Sequence, residues 1–250
     1  MSDKKYYLGI DGGGSKTAFI IIDENKNIVY KKEAGPSSID TVPLSVVKEV
    51  FIEGTKDFQY KVDGVFAGIG GICNDIQVNT VKEIIKTLPI CKDNCKIDAG
   101  NDVINALYGG LGGKDGIIII AGTGSVCFGK NKDKYARAGG YCYQEGDAGS
   151  SYDLGRKALQ HLARVLDGRY EYTPFAEALI KATNCNDYSS LANYIINANR
   201  TQIASLSKIV TKNQEDKYAK KIIINAVDEM LLMIKAVFNR LAFNEEILRK

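Results

Sequence analysis

The chain has 250 residues, a formal net charge of +3 and a 45% share of hydrophobic residues, so it is long enough to bury a core and to form one large or two small domains. Its basic residues are scattered and not interleaved with aromatic ones, which argues against a nucleic-acid partner. Apolar runs are too short to cross a membrane and the N-terminus lacks a signal-peptide pattern, so we expect a cytoplasmic protein.

The first half of the chain begins with short strands and continues with alternating strands and helices. Short turns between the first three strands predict an antiparallel meander, and the later alternation predicts parallel strands. The predicted strands are Tyr6–Asp11, Thr17–Asp23, Ile28–Lys32, Val62–Gly71, which runs into a glycine turn, and Lys96–Asp102. The predicted helices are Val42–Glu53, Thr80–Leu88 and Val103–Tyr108.

The strand pattern of the N-terminus returns in the second half. Asp115–Gly140 again reads as strand, glycine turn, strand, polar turn and strand, and Gly112-Gly113 precedes it. The helices predicted after it are Tyr152–Leu166, Phe175–Ala182, Ser189–Ala198, Gln202–Thr211 and a long one over about Glu215–Phe243. Because internal repeats report architecture, we predict two similar α/β domains, residues 1–113 and residues 114–250, the second with a helical insertion.

Two glycine-rich turns occupy equivalent positions in the two strand blocks. Glycine accepts positive φ and leaves no Cβ over the backbone N–H groups, so such a turn can bind phosphate. The first turn comprises Gly12, Gly13, Gly14, Ser15 and Lys16, followed by Thr17, and the second comprises Gly122, Thr123, Gly124 and Ser125. Neither has P-loop spacing, and a strand rather than a helix follows each. A tight hairpin without a ligand is the alternative interpretation.

Three aspartates next to strand ends or glycines are candidates for chemistry. Asp11 would hold Mg²⁺ near phosphates or form an Asx turn. Asp102 would be a general base, or Asn101 or Asp102 would cap the following helix. Asp147 would face a ligand hydroxyl or a metal, or only solvent. We expect Ser150 or Ser151 to cap the next helix, and the single histidine, His161, to be a surface or partly packed residue rather than a catalytic one.

Four segments, taken together and in this order, resemble the N-acetylglucosamine kinase and BadF/BadG/BcrA/BcrD ATPase family of the actin, hexokinase and Hsp70 superfamily. They are "GIDGGGSKT", "NDVINALYG", "AGTGS" and "EGDAGSSYDLGRKAL". The resemblance covers essentially the whole chain. It implies two ribonuclease-H-like (actin-like ATPase) domains facing a nucleotide cleft that holds ATP and Mg²⁺, and transfer of the γ-phosphoryl group to a hydroxyl of an amino sugar.

The same resemblance implies roles for individual residues. Asp102 would accept the proton of the sugar hydroxyl, Asp11 would position Mg²⁺, and the two glycine turns would hold the phosphates. The residues implied near the sugar are Ser38, Gly71, Tyr141 and Asp147, together with Asp102. Ser38 stands where the family usually has Asn, Tyr141 where it has Trp, and Ala148 where it has Glu, so the identity of the sugar stays open.

In relatives, a strand and a glycine-rich turn that contacts adenosine follow the long helix, whereas this sequence ends at Lys250. We therefore expect an incomplete second domain whose sheet exposes an apolar edge. Three alternatives stay open: a sugar kinase, an ATPase activator with an iron–sulfur cluster shared between two chains, and a truncated, non-catalytic nucleotide-binding protein. The six cysteines form no CxxC pair, which favours free thiols. The sequence also leaves open whether the chain acts alone or as a homodimer.

Overall fold

The computed structural model describes residues 4–144 and 146–244. The chain divides into two compact units, Met1–Gly113 and Lys114–Lys250. The terminal residues on which the expectation of an incomplete second domain depends lie outside the described part of the chain. Among the described residues, no helix combines the length and the apolar character that crossing a membrane requires.

The first unit is a sheet covered by helices. Its strands are β1 (Tyr6–Gly12), β2 (Thr17–Asp23), β3 (Ile28–Ala34), β4 (Val62–Ile69) and β5 (Cys91–Gly100), and its helices are α1 (Leu44–Thr55), α2 (Asp75–Lys86) and α3 (Val103–Leu111). The strand order is β3-β2-β1-β4-β5. β1 pairs antiparallel with β2 and parallel with β4, and β4 pairs parallel with β5, so the predicted meander and its parallel extension are confirmed.

The core of the first unit follows from the period-2 pattern of its strands. In β1, Tyr6, Leu8 and Ile10 are buried while the residues between them are exposed. Phe19 and Ile21 of β2 are likewise completely buried. Because successive strand side chains point to opposite faces, one face of the sheet supplies this core.

Several boundaries in the first unit differ from the sequence-based prediction, and two of them bear on the site or have a clear local cause. α2 begins at Asp75, not Thr80, because the Asn74 side chain accepts a hydrogen bond from the Gln77 N–H at 3.0 Å and starts the helix earlier. β5 ends at Gly100 rather than at Asp102, so Asp102 belongs to the turn into α3.

The second unit combines a small antiparallel sheet with a helical region. Its strands are β6 (Gly116–Ala121), β7 (Ser125–Asn131) and β8 (Lys134–Gly139), and its helices are α4 (Ser151–Leu166), α5 (Pro174–Thr183), α6 (Tyr188–Asn197), α7 (Arg200–Ser205), α8 (Ser207–Lys212) and α9 (Lys217–Arg240). Met233 and Val237 of α9 pack on the sheet with Cys127 and Ala136, and a second apolar cluster joins the helices. Within the described chain, β6 is an edge strand, and Ile119 and Ile120 are exposed on it as expected.

Two predictions for the second unit are wrong in detail. The helix expected over residues 202–211 is interrupted at Leu206, whose N–H bonds to the carbonyl of Ile203 in a tighter turn, so α7 and α8 are separate. His161 is not a surface or partly packed residue. It is 3% exposed, and its ring stacks on Phe175 with ring centres 5.0 Å apart.

Candidate functional site

Three parallel strands of the first unit end at the same edge of the sheet. Asp11 of β1 is in register with Gly68 of β4, and Gly68 with Gly100 of β5. Asp102 follows two residues after Gly100. The carboxyl ends of parallel strands are where open α/β sheets bind ligands. The fold thus brings Asp11 and the Asp102 segment to one edge.

The carboxylate of Asp11 is exposed and oriented by Asn105. Asn105 Nδ2 donates to Asp11 Oδ1 at 2.8 Å and to the carbonyl of Ile10 at 3.0 Å, which ties α3 to the end of β1. Asn105 was missed by the sequence reading. Asn105 could have been recognised from its position in the first turn of the helix that follows Asp102.

The surroundings of Asp11 suit a magnesium ion that is bound together with phosphates. None of the described residues form a group of three or more His, Cys, Asp or Glu side chains that could hold a metal alone. Mg²⁺ is usually held by one or two carboxylates, substrate phosphates and water. A single exposed carboxylate beside a glycine turn fits that donor set.

Asp102 is the residue immediately before α3, at its N-cap position, but its side chain makes no capping hydrogen bond. The capping function belongs to Asn101, whose Oδ1 accepts from the Val103 N–H at 3.2 Å and whose Nδ2 donates to the carbonyl of Ile72 at 2.9 Å. The Asp102 side chain is half-buried. Of the two cap candidates, then, Asn101 serves the helix, and the Asp102 carboxylate is not used as its cap.

The first glycine turn leaves backbone donors unused. The Gly13 N–H donates to the carbonyl of Lys16 at 3.0 Å, whereas the N–H groups of Gly14 and Ser15 find no acceptor among the described residues. At Gly12 a Cβ would collide with the side chains of Ser37 and Ile69. The turn therefore leaves two neighbouring backbone N–H groups that an anion could accept from.

Two side chains at the first turn already have partners within the protein. Thr17 is completely buried, and its Oγ1 lies 2.7 Å from both the Gly35 carbonyl and Ser37 Oγ. Lys16 forms an ion pair with Glu33 at 2.6 Å on the surface. The donors of the turn without a partner in the described residues are the backbone N–H groups of Gly14 and Ser15.

The segment that follows β3 brings Ser38 and Gly71 together around Asp40. Ser38 Oγ donates to Asp40 Oδ1 at 2.5 Å, and Asp40 is exposed. Gly71 has φ of 83°, and a Cβ there would lie 2.8 Å from the Asp40 N. The sequence analysis did not identify Asp40, because the comparison with the family pattern concerned only the position of Ser38.

The second glycine turn resembles the first in leaving backbone N–H groups without an acceptor. The Gly122 N–H donates to the Gly124 carbonyl at 2.9 Å, while the N–H groups of Thr123 and Gly124 have no acceptor within the described chain. Ser125, by contrast, is buried, and its Oγ donates to the Ala148 carbonyl at 2.7 Å. In this structure the Ser125 hydroxyl thus holds the loop that carries Ala148.

Asp147 lies against the second turn and is paired with an arginine. Its side chain is buried, and its Oδ2 accepts from Arg200 Nη2 at 2.7 Å. A Cβ at Gly124 would lie 2.6 Å from Asp147 Oδ2 and 2.8 Å from Arg200 Nη2. The Arg200 guanidinium also lies 5.1 Å from the centre of the Tyr143 ring. This pairing places a cation beside the glycine turn.

Arg200 gave no signal in the sequence, because more than fifty residues separate it from Asp147. Tyr141, which the sequence comparison put near the sugar, is 87% exposed and thus open to solvent in this structure.

The start of α4 holds the loop that carries Asp147. Ser150 Oγ accepts from the Asp153 N–H at 3.2 Å, which confirms the expected cap. Burial alone raises the pKa of the Asp153 carboxyl, but hydrogen bonds from Lys157 and from the Gly149 N–H outweigh burial and hold that pKa below its usual value. Asp153 is therefore a charged anchor under the loop.

The fold, with a glycine turn between the first two strands of each unit, is that of actin-like, ribonuclease-H-like proteins. The pattern of the BadF/BadG/BcrA/BcrD ATPase family matches residues 8–249, so the chain belongs to that family.

Two relatives with assigned activities align over nearly the whole chain. The N-acetylmuramic acid/N-acetylglucosamine kinase of Clostridium acetobutylicum is 32% identical, over 97% of this chain and 82% of the relative. The N-acetyl-D-glucosamine kinase of Dictyostelium discoideum is 26% identical over the same shares.

Solved structures agree in fold. The crystal structure of a candidate N-acetylglucosamine kinase from Chromobacterium violaceum superposes with a TM-score of 0.74 at 23% identity, over 93% of this chain and 82% of the other. One from Porphyromonas gingivalis superposes with a TM-score of 0.65 at 20% identity, over 94% and 82%.

Proposed function

We propose that the chain is an ATP-dependent kinase that transfers the γ-phosphoryl group to a hydroxyl of an N-acetylated amino sugar. The observation that carries the proposal is the Asp102 carboxylate, which is not used as a helix cap and stands at the sheet edge that also presents Asp11. The names of the two relatives supply the class of acceptor.

In this proposal Asp102 accepts the proton of the attacking sugar hydroxyl. A positioned general base must be within hydrogen-bond reach of that proton, and a half-buried carboxylate at a strand end can be held there. Asn101 and α3 fix the backbone on both sides of Asp102, which limits where its side chain can go.

The glycine turns and Asp11 serve the nucleotide. Phosphoryl transfer depends mainly on positioning and on neutralising the charge of the phosphates. The open N–H groups of Gly14, Ser15, Thr123 and Gly124 would donate to phosphate oxygens. Asp11 would hold Mg²⁺, which neutralises phosphate charge when bound. Arg200, beside Gly124 and paired with Asp147, would offer guanidinium N–H donors to a phosphate oxygen.

On the sugar side, the proposal assigns Ser38, Asp40 and Gly71. The exposed Asp40 carboxylate, held by Ser38, is a hydrogen-bond acceptor suited to sugar hydroxyls. Gly71 leaves the space that a side chain would fill next to Asp40. Since an ATP-dependent kinase works where ATP is supplied, the proposal also places the chain in the cytoplasm.

The test is ADP release by the full chain with Mg·ATP and a panel of N-acetylglucosamine, N-acetylmuramic acid, glucosamine and glucose. We expect turnover that requires an N-acetylated sugar. Asp102→Asn should lower it at least about 100-fold, the lower end of what a general base contributes.

Asp98→Asn is the matched control. Asp98 lies on β5, the strand before Asp102. It is exposed, and among the described residues its carboxylate meets only Lys82 at 3.4 Å and the neighbouring Ala99 N–H, so the change should leave turnover near the unmodified rate. Equal turnover by the Asp102→Asn and unmodified chains would overturn the role of Asp102. ADP release that no sugar stimulates would overturn the kinase and leave an ATPase of another kind.

A further inference from the structure

A surface pocket in the helical region of the second unit has no role in the proposed reaction. It lies between α4 and the first half of α9, with a volume of about 310 Å³. Its walls include Lys157, His161 and Arg164 from α4, Tyr170 after α4, and Tyr218 and Lys221 from α9. A volume of this size is at the small end of the range for small-molecule sites.

The pocket is positively charged. Three cations line it, Lys157, Arg164 and Lys221, and no carboxylate does. Lys157 donates to Asp153 at 2.6 Å and also to Asn225, so it is fixed in place. Lys221 has no acidic partner in the described part of the chain, and the Arg164 guanidinium lies 5.6 Å from the centre of the Tyr170 ring. Arg164 and Lys221, on the two helices that flank the pocket, therefore leave positive charge there that no lining carboxylate offsets.

The buried imidazole of His161 forms the inner wall. The residue is 3% exposed, and neither Nδ1 nor Nε2 has a hydrogen-bond partner. Its ring cannot turn away, because Phe175 stacks on it and the Tyr218 ring centre is 4.6 Å distant. A buried polar group without a partner is unfavourable. The His161 side chain also lines the pocket, so its ring is close to any molecule bound there.

We propose that this pocket binds a small phosphate monoester. The phosphate would accept hydrogen bonds from Arg164 and Lys221, close to the His161 ring, and the organic part would lie against the tyrosine rings. Charge-assisted bonds from several cations favour a dianion over a neutral ligand. This site is separate from the glycine turns and does not depend on the proposed function.

The single histidine of the chain makes the proposal directly measurable. Ring ¹H–¹⁵N correlation spectra of the full chain report on His161 alone. Titration with inorganic phosphate, at constant ionic strength set by chloride, should shift the ring signals to saturation, and glucose 6-phosphate should do so as well. Lys221→Gln should raise the Kd about tenfold, since a hydrogen bond to a charged group contributes that factor.

Lys220→Gln is the matched control, because the neighbouring lysine on α9 is exposed and lies outside the pocket, so the Kd should not change. The proposal is overturned if phosphate leaves the His161 signals unmoved, or if both lysine variants raise the Kd equally. It is also overturned if ATP shifts the signals while inorganic phosphate and the sugar phosphate do not, since the pocket would then belong to the nucleotide site.

Discussion

His161 is a buried base surrounded by three aromatic rings, those of Tyr170, Phe175 and Tyr218. Burial lowers the pKa of its imidazole, the negative charge of Asp216 works in the opposite direction, and the positive charge of Arg164 adds to the lowering. The folded chain thus favours the neutral ring. The unfolded chain, in which the imidazole is hydrated, has the ordinary pKa near 6.5.

The pKa of His161 predicts how stability changes with pH. Because the pKa is lower in the folded chain, the unfolded chain binds more protons as the pH falls below about 6.5, and the free energy of unfolding decreases. The decrease contributed by one such group is at most about 1.4 kcal/mol per pH unit. Urea unfolding at pH 7.5 and at pH 5.5 would measure it. The Asp153 carboxyl does not interfere, since it titrates below this range.

His161→Phe is the control for this dependence, because it keeps an aromatic ring in the stack and removes the titratable group. We expect its stability to vary less between the two pH values than that of the unmodified chain. The same pH dependence in both chains would show that another group is responsible.

At the scale of elements, α1 packs on β2 at a glycine. Gly54 faces the ring of Phe19, and a Cβ at this position would overlap three atoms of that ring. Phe19 is completely buried and also meets Phe51 edge-on, with ring centres 6.2 Å apart. The close approach of the helix to the sheet therefore depends on the missing side chain.

Gly54→Ala should destabilise the chain by about 1–3 kcal/mol, because an added methyl group in a filled core forces neighbours to shift. Gly109→Ala is the matched change in α3, where a Cβ would meet nothing within 4 Å. There we expect a gain of about 0.5–1 kcal/mol, since alanine is the better helix former. Urea unfolding of both variants checks the pair. If both changes had the same sign, the packing of α1 against Phe19 would not be as described.

At the scale of the whole molecule, the chain divides at a glycine pair. α3 ends at Gly112, which has φ of 58°, and Gly113 has φ of 80°. These left-handed conformations stop the helix, since residues with a Cβ seldom adopt them. Residues 112–115 are all exposed. We propose that residues 1–113 and 114–250 are two domains, each of which folds and unfolds as a unit.

Limited proteolysis tests the boundary. Trypsin should cut first after Lys114, because exposed connections between compact units are preferred sites. Lys114→Gln should remove this cut and prolong the life of the intact chain. An early cut inside either unit, with Lys114 untouched, would contradict the boundary.

The sequence by itself determined the order and type of the main elements and the two glycine turns. These depend on local causes: period-2 apolar patterns in β1 and β2, and glycine where the backbone must turn without a Cβ. Asp11 and Asp102 were also recognisable, because Asp11 lies near the end of β1 and Asp102 follows β5 after a short turn.

Only the tertiary structure decided which hydroxyl and charged side chains are buried and which groups they pair with. Thr17 and Ser125 carry hydroxyl groups that could donate to phosphate, yet both are buried and bonded to backbone carbonyls. Arg200 and Asp147 become partners although they are far apart in sequence. His161, an unremarkable helical residue in the sequence, becomes the inner wall of a cationic pocket when α4 meets α9. The physical reason is that burial and partner choice are set by contacts between distant segments, which local pattern does not encode.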